Sequence, residues 1–191
     1  MTGTDPAQQE QAHAELSGDY DIDVAHSRFG FMARHAMVTR VHGTFNDVDG
    51  VLHLDAGDIG RSTARVTLVA DSIDTGVEQR DQHLRSNDFF DMPTYPEITF
   101  VSTAINGSAP SFEVTGDLTV KGITKPVTVD VEFTGAAVDP SGNHRVGFEV
   151  SGTLNRRDWG VNWNAAMEAG GMLVGDKVTL EIDISAIRRQ E

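Results

Sequence analysis

The sequence predicts an all-β fold of about eight antiparallel strands, and three observations carry that expectation. Apolar residues recur at every second position through most of the chain, the period of a strand with one buried face. Clusters of turn residues, such as Asp139-Pro140-Ser141-Gly142-Asn143 and Lys121-Gly122-Ile123-Thr124-Lys125-Pro126, separate these runs. The links are mostly short, and strands joined by short links are antiparallel. About eight such strands close into a barrel just wide enough for side chains or one small ligand. An open sandwich satisfies the same pattern.

The elements follow in order. Residues 1–17 are polar and hold Gly3, Pro6, Gln8, Gln9 and Gln11, which reads as a mobile tail ahead of a single domain over 18–191. Alternation begins at Tyr20. Phe29, Phe31 and Ala33 share one face, and Arg34 to Gly43 reads as a link. Val48, Gly50, Leu52 and Leu54 form the next set, then Ala64, Val66, Leu68 and Ala70.

The period breaks after Ile73. Thr75-x-x-Glu78 fits a capping box, so a short surface helix is expected over 77–86, anchored by Val77 and Leu84. Phe89 and Phe90 make an apolar plug, and Pro93 and Pro96 forbid further helix. Ile98 and Phe100 open the next strand. Then come Phe112, Val114, Leu118 and Val120; Val127, Val129, Val131 and Phe133; and Val146, Phe148, Val150 and Leu154. A long segment holding Trp159, Trp163, Met167, Gly170, Gly171 and Met172 precedes the last strand, Val178 to Ile184.

Composition narrows the function. The chain has 191 residues, 39% of them hydrophobic, no cysteine and a formal net charge of −14. One domain of this length buries a substantial core. The charge argues against nucleic acid or an anionic membrane surface as the main partner, since both would repel it, although a local basic patch is compatible with that overall field. Disulfides, thiolate metal sites and cysteine nucleophiles are excluded. No apolar run is long enough for a transmembrane helix, so no stable membrane insertion is expected. The N-terminus lacks a basic n-region and an apolar h-region, which sets the expectation of a cytoplasmic protein.

Several pieces also occur together in a specific order: Ser72-Ile73-Asp74-Thr75, Arg80-Asp81-Gln82-His83-Leu84-Arg85-Ser86-Asn87-Asp88-Phe89-Phe90-Asp91, Tyr95-Pro96-Glu97-Ile98-Thr99-Phe100, Gly116-Asp117-Leu118-Thr119 and Asn155-Arg156-x-Asp158-Trp159-Gly160. With His26-Ser27, His35 and Gly43-x-Phe45, this arrangement resembles the YceI-like family from Gly18 to about Ile187. The resemblance implies a lipocalin-like eight-stranded antiparallel β-barrel, with a short helix between strands and a long loop before the last one. It also implies non-catalytic binding, transport or storage of an isoprenoid, polyprenyl quinone-like, or another long-chain apolar lipid in the interior. No cofactor beyond that ligand is implied, and a homodimer is suggested.

On that reading the apolar faces of the strands form the wall: Phe29, Phe31, Val66, Leu68, Phe100, Leu118, Val129, Phe133, Phe148 and Leu154. Trp159, Trp163, Met167 and Met172 form either an adaptable lid or a static cap, and His26 or His35 meets the ligand's head. The histidines lack any metal-ligand spacing such as HExxH, so no metal site is assigned, and no catalytic residue is assigned either. Arg80 and Asp81 read as paired charges that pin the helix. Two rival readings stay open: an enzyme acting on such a lipid with His26, His35 and Asp81 as acid–base groups, and a solid, non-binding stress-related module.

Overall fold

A computed structural model describes residues 15–190. Eleven strands make one sheet: β1 (Gly18–Ile22), β2 (Arg28–His35), β3 (Thr39–Phe45), β4 (Val48–Leu54), β5 (Thr63–Val69), β6 (Ile73–Asp74), β7 (Glu97–Ser108), β8 (Ser111–Val120), β9 (Ile123–Val138), β10 (His144–Asn155) and β11 (Val174–Arg188). The single α-helix among the described residues, α1 (Glu78–Arg85), lies between β6 and β7. Hydrogen bonding runs β1-β4-β5-β7-β8-β9-β10-β11 and returns to β1, all antiparallel, so eight strands close a barrel. The strands β2 and β3 continue β1 and β4 along the flank of β11 and end with the short β6.

Closure depends on a break in the first strand. Asp23 leaves the ladder and accepts the Ala25 amide at 3.2 Å, starting a 3₁₀ turn over Val24–His26. The Ser27 hydroxyl then donates to the Asp23 carbonyl at 2.7 Å and accepts the Ser185 amide at 3.0 Å, which stitches the break to β11. Arg145 clamps the same seam, reaching Asp23 at 2.6 Å and Asp139 at 2.7 Å.

Alternation sets the inward face as expected, because successive side chains on a strand point to opposite sides of the sheet. At Gly43 and Gly116 the inward position is empty for a reason. The ring of Phe31 lies over Gly43 and that of Phe100 over Gly116, and any Cβ there would strike the ring. This explains one departure from expectation: the stretch read as a link from Arg34 to Gly43 is the β2–β3 hairpin. Its apolar signal is weak because a neighbouring strand supplies the side chain that Gly43 lacks.

The helix matches its predicted span within two residues, but its start does not. No side chain caps it, and Thr75 is engaged elsewhere. The Thr75 amide and hydroxyl both donate to the Asp81 carboxylate, the amide at 3.0 Å, and the hydroxyl accepts from Arg80 Nε at 2.6 Å. Arg80 and Asp81 therefore converge on Thr75 rather than forming an ion pair with the barrel.

The expected tail over residues 1–17 falls mostly outside the described residues. Of its described residues, Glu15 accepts from Arg188 at 2.8 Å through its carbonyl, and Leu16 accepts from the Tyr20 hydroxyl at 2.9 Å through its own.

Candidate functional site

The barrel has two separate apolar clusters rather than one core. The first gathers Tyr20, Ile22, Phe29, Val48, Leu52, Val146 and Ala186 beneath the seam strands. The second joins Phe89, Ile98, Val120, Val127, Trp159 and Val161, where α1 and the segment after β10 cover one end of the barrel. Between them lies a cavity of about 350 Å³. Inward residues along it, including Phe31, Phe100, Leu118 and Leu154, are only half-buried. A barrel packed solid would bury them, since interiors close to crystal-like density.

The wall residues read from the sequence fall mostly on this cavity. Phe29 and Phe31 come from β2, Val66 and Leu68 from β5, Phe100 from β7, Leu118 from β8, Val129 from β9, and Phe148 and Leu154 from β10. Trp159 reaches it from the covered end, with its indole nitrogen donating to the Leu118 carbonyl at 2.9 Å. Phe133 faces inward but stacks on Phe148 at 5.6 Å between centroids, outside the lining. Trp163 is also outside: its ring sits 4.6 Å from His83 and 5.4 Å from Phe89, as part of the cap.

Met167 and Met172 lie in the long segment, where Ala166 and Met172 form an isolated bridge; Met167 is half-buried and Met172 exposed. Neither methionine lines the cavity. The histidines are also elsewhere. His26 Nδ1 is 2.7 Å from Asp23 and exposed, while His35 lies at the exposed end of β2. His42, His53 and His83 each pair with a different carboxylate. Among the described residues, no three histidine or acidic side chains converge as a metal site.

Sequence reading did not single out Ile98, Val114, Val120, Ile182 or Ile184 as wall, although the first three share the parity of a chosen residue on the same strand and the last two alternate on β11, where none was chosen. Leu84 and Phe90 also line the cavity, from the helix and the turn after it. No periodicity marks that approach, because it depends on how the excursion folds back.

The charged residue on the wall is Arg156, 7% exposed. Burial holds its guanidinium below its usual pKa, and Asp176 at 3.5 Å acts against that. Its donors are committed to carbonyls: Nε to Gly175 at 3.0 Å, one terminal nitrogen to Val161 at 2.7 Å and Trp163 at 2.9 Å, the other to Val174 at 3.3 Å. A buried cation is tolerated only when so satisfied. Arg156 thus organises the segment that covers the barrel end, and it presents no spare donor to the cavity.

The family model described as the YceI-like domain matches residues 20–186. The chain belongs to the YceI-like family. A UPF0312 protein of Staphylococcus epidermidis is 44% identical over 163 residues, covering 85% of this chain and 93% of that protein. Among solved structures, Burkholderia cenocepacia BcnA superposes with a TM-score of 0.75 at 25% identity, covering 86% of this chain and 98% of that one. A polyisoprenoid binding domain from Saccharophagus degradans, implicated in plant cell wall breakdown, superposes at 0.69 with 13% identity over 89% of this chain and 98% of that one. At that identity the likeness is one of fold. This YceI-like barrel therefore has its closure, its covered end and its hollow interior in the context of a family with the same architecture.

Proposed function

We propose that the protein binds an isoprenoid, or another long-chain apolar lipid, non-covalently in the barrel and carries or stores it. The observation that bears most weight is the hollow between the two apolar clusters, walled by Phe, Leu, Val and Ile side chains. The polyisoprenoid-binding character of the Saccharophagus degradans domain supports the same chemistry. At roughly 0.8 kcal/mol per buried carbon, about fifteen carbons supply some 12 kcal/mol. After the smallest association cost, ~4 kcal/mol, about 8 kcal/mol remains, which sets a limiting Kd of ~1 μM. At that limit three isoprene units reach micromolar binding without a strong polar contact.

The same wall supports a non-catalytic role. The acid–base candidates His26, His35 and Asp81 all lie outside the cavity lining, and Arg156 has its donors engaged. The test is organic extraction of the purified protein with mass spectrometry of the extract, followed by titration with a polyprenyl quinone read by quenching of Trp159. A lipid near one per chain, or saturable quenching that Ala64→Phe abolishes by filling the cavity, is the expected result. An empty extract together with no quenching overturns the reading.

A further inference from the structure

The tip of the β2–β3 hairpin carries the most exposed large apolar side chains among the described residues: Val38 is 75% exposed and Met37 63%. The turn is closed by the Val38 amide donating to the His35 carbonyl at 3.2 Å. Its two central residues, Ala36 and Met37, have φ of 51° and 63°. Asn-Gly fits such a turn without strain, whereas Ala and Met hold a disfavoured left-handed conformation there. Backbone strain of this kind persists where something other than stability keeps it.

A second loop completes the surface. Residues 165–173 fold back through the Leu173 amide on the Ala165 carbonyl at 2.9 Å, and the Ala36 amide donates to the Leu173 carbonyl at 2.7 Å. Met37 and Met167 both close on Gly171, and Met172 is 44% exposed. Flexible methionines make an adaptable apolar surface.

Charge indicates what this surface meets. Arg34 and Arg40 stand directly opposite one another at the base of the tip, both exposed, and neither takes part in an ion pair among the described residues. Like charges so placed repel. The other titratable side chains on the two loops are His35 and Glu168. Carboxylates face each other instead farther round the sheet, as Glu113 with Asp130 and Glu132 with Glu149. Those pairs lie on β8, β9 and β10, with β11 between them and β2. At a Debye length of about 10 Å in 0.1 M salt, the tip's own arginines govern its encounters despite the chain's net charge of −14.

We propose that this tip docks the barrel on an anionic lipid bilayer. Met37 and Val38 enter the interface, with Met172 beside them, and Arg34 and Arg40 meet the headgroup phosphates. The inference names a partner for the lipid-binding barrel and rests on that reading: Phe31 and Ala33, on the strand leading to the tip, line the cavity. Docking there places the covered end of the barrel against the membrane that holds apolar lipid.

The test is co-sedimentation with phosphatidylcholine vesicles, with and without phosphatidylglycerol, in about 0.1 M salt. The chain is expected to bind the anionic vesicles and to bind pure phosphatidylcholine weakly. At about fivefold per arginine, Arg34→Gln with Arg40→Gln weakens binding roughly thirtyfold, and Met37→Ser with Val38→Ser weakens it roughly tenfold. Ala36→Asn with Met37→Gly relaxes the turn, so this variant melts higher yet docks less well. A wild-type chain that ignores anionic vesicles overturns the proposal, as does unchanged docking of the two-arginine variant. Self-association through the tip, abolished by the Met37→Ser, Val38→Ser pair, overturns it as well. Polyprenyl quinone uptake without vesicles separates the two readings: uptake without docking sinks only the membrane proposal, while absent uptake together with an empty extract sinks the reading beneath it.

Discussion

Two turns of this barrel solve the same problem in opposite ways. At residues 139–143 the Asp139 carboxylate accepts from the Ser141 amide at 2.9 Å, the Asn143 amide at 3.0 Å, the Asn143 side chain at 3.0 Å and Arg145 at 2.7 Å. The Asn143 and Arg145 contacts hold its pKa well below the carboxylate range. The β2–β3 turn has none of this. Its central residues hold positive φ, its apolar side chains face water, and the arginines at its base repel. One turn is built to hold two strands together, and the other displays a surface at a cost in stability. The difference separates residues kept for the fold from residues kept for something that meets the fold.

The largest effect should come from breaking the well-supported turn. Asp139→Ala leaves four donors without their acceptor and removes one of Arg145's two carboxylates. We expect a drop in Tm larger than that of any substitution at residues 34–40, read by thermal denaturation followed by circular dichroism. A Tm within a degree of wild type would show that water replaces Asp139 without loss.

Acid should act on the same turn. Arg145 and His26 lower the pKa of Asp23, Asn143 and Arg145 lower that of Asp139, and Arg189 lowers that of Asp21. A carboxylate whose folded pKa is depressed contributes stability that is present above its unfolded pKa, about 3.9, and lost as pH falls through the folded value. Stability is therefore expected to fall below about pH 4. Arg145→Gln should be less stable than wild type at neutral pH, and the two stability curves should converge in acid. Parallel curves down to the lowest pH would remove Arg145 from the cause.

Much of this architecture is legible in the sequence because the strand period is two and the inward face is apolar. Parity alone puts Phe29, Phe31, Phe100 and Leu118 on the inward face, and the family resemblance makes that face the wall of a cavity. What parity misses is residues whose role lies in a neighbour. Gly43 reads as a link because Phe31 fills its place, and Thr75 reads as a helix cap although Asp81 and Arg80 claim it. Trp163, Met167 and Met172 belong to a segment with no period, folded around the carbonyls that Arg156 gathers. His26 and His35 read as head-binding groups by chemistry, but an exposed 3₁₀ turn holds the first and an exposed strand end the second, both outside the cavity lining.

The strained turn gives the next effect in size, and its sign is opposite. Ala36→Asn with Met37→Gly places residues that favour positive φ where Ala and Met resist it. The gain is about 1 kcal/mol, the left-handed cost recovered less the entropy glycine adds to the unfolded chain. Urea denaturation measures it, and a loss of stability would mean that Met37's packing on Gly171 outweighs the backbone.

The smallest effect isolates charge from apolar display. Arg40→Glu turns the Arg34–Arg40 repulsion into an attraction across the same pair of strand positions, without altering the turn or its apolar side chains. For an exposed cross-strand pair the expected gain is ~0.5 kcal/mol, largest in dilute salt and fading as ionic strength rises. The same change should weaken docking on phosphatidylglycerol vesicles roughly thirtyfold, because turning one cation into an anion also removes two units of positive charge. Stability and docking would then move in opposite directions from one substitution at one exposed position. If Arg40→Glu instead destabilised the chain at low salt, Arg40 would be serving the fold, and the contrast between the two turns would lose its electrostatic half.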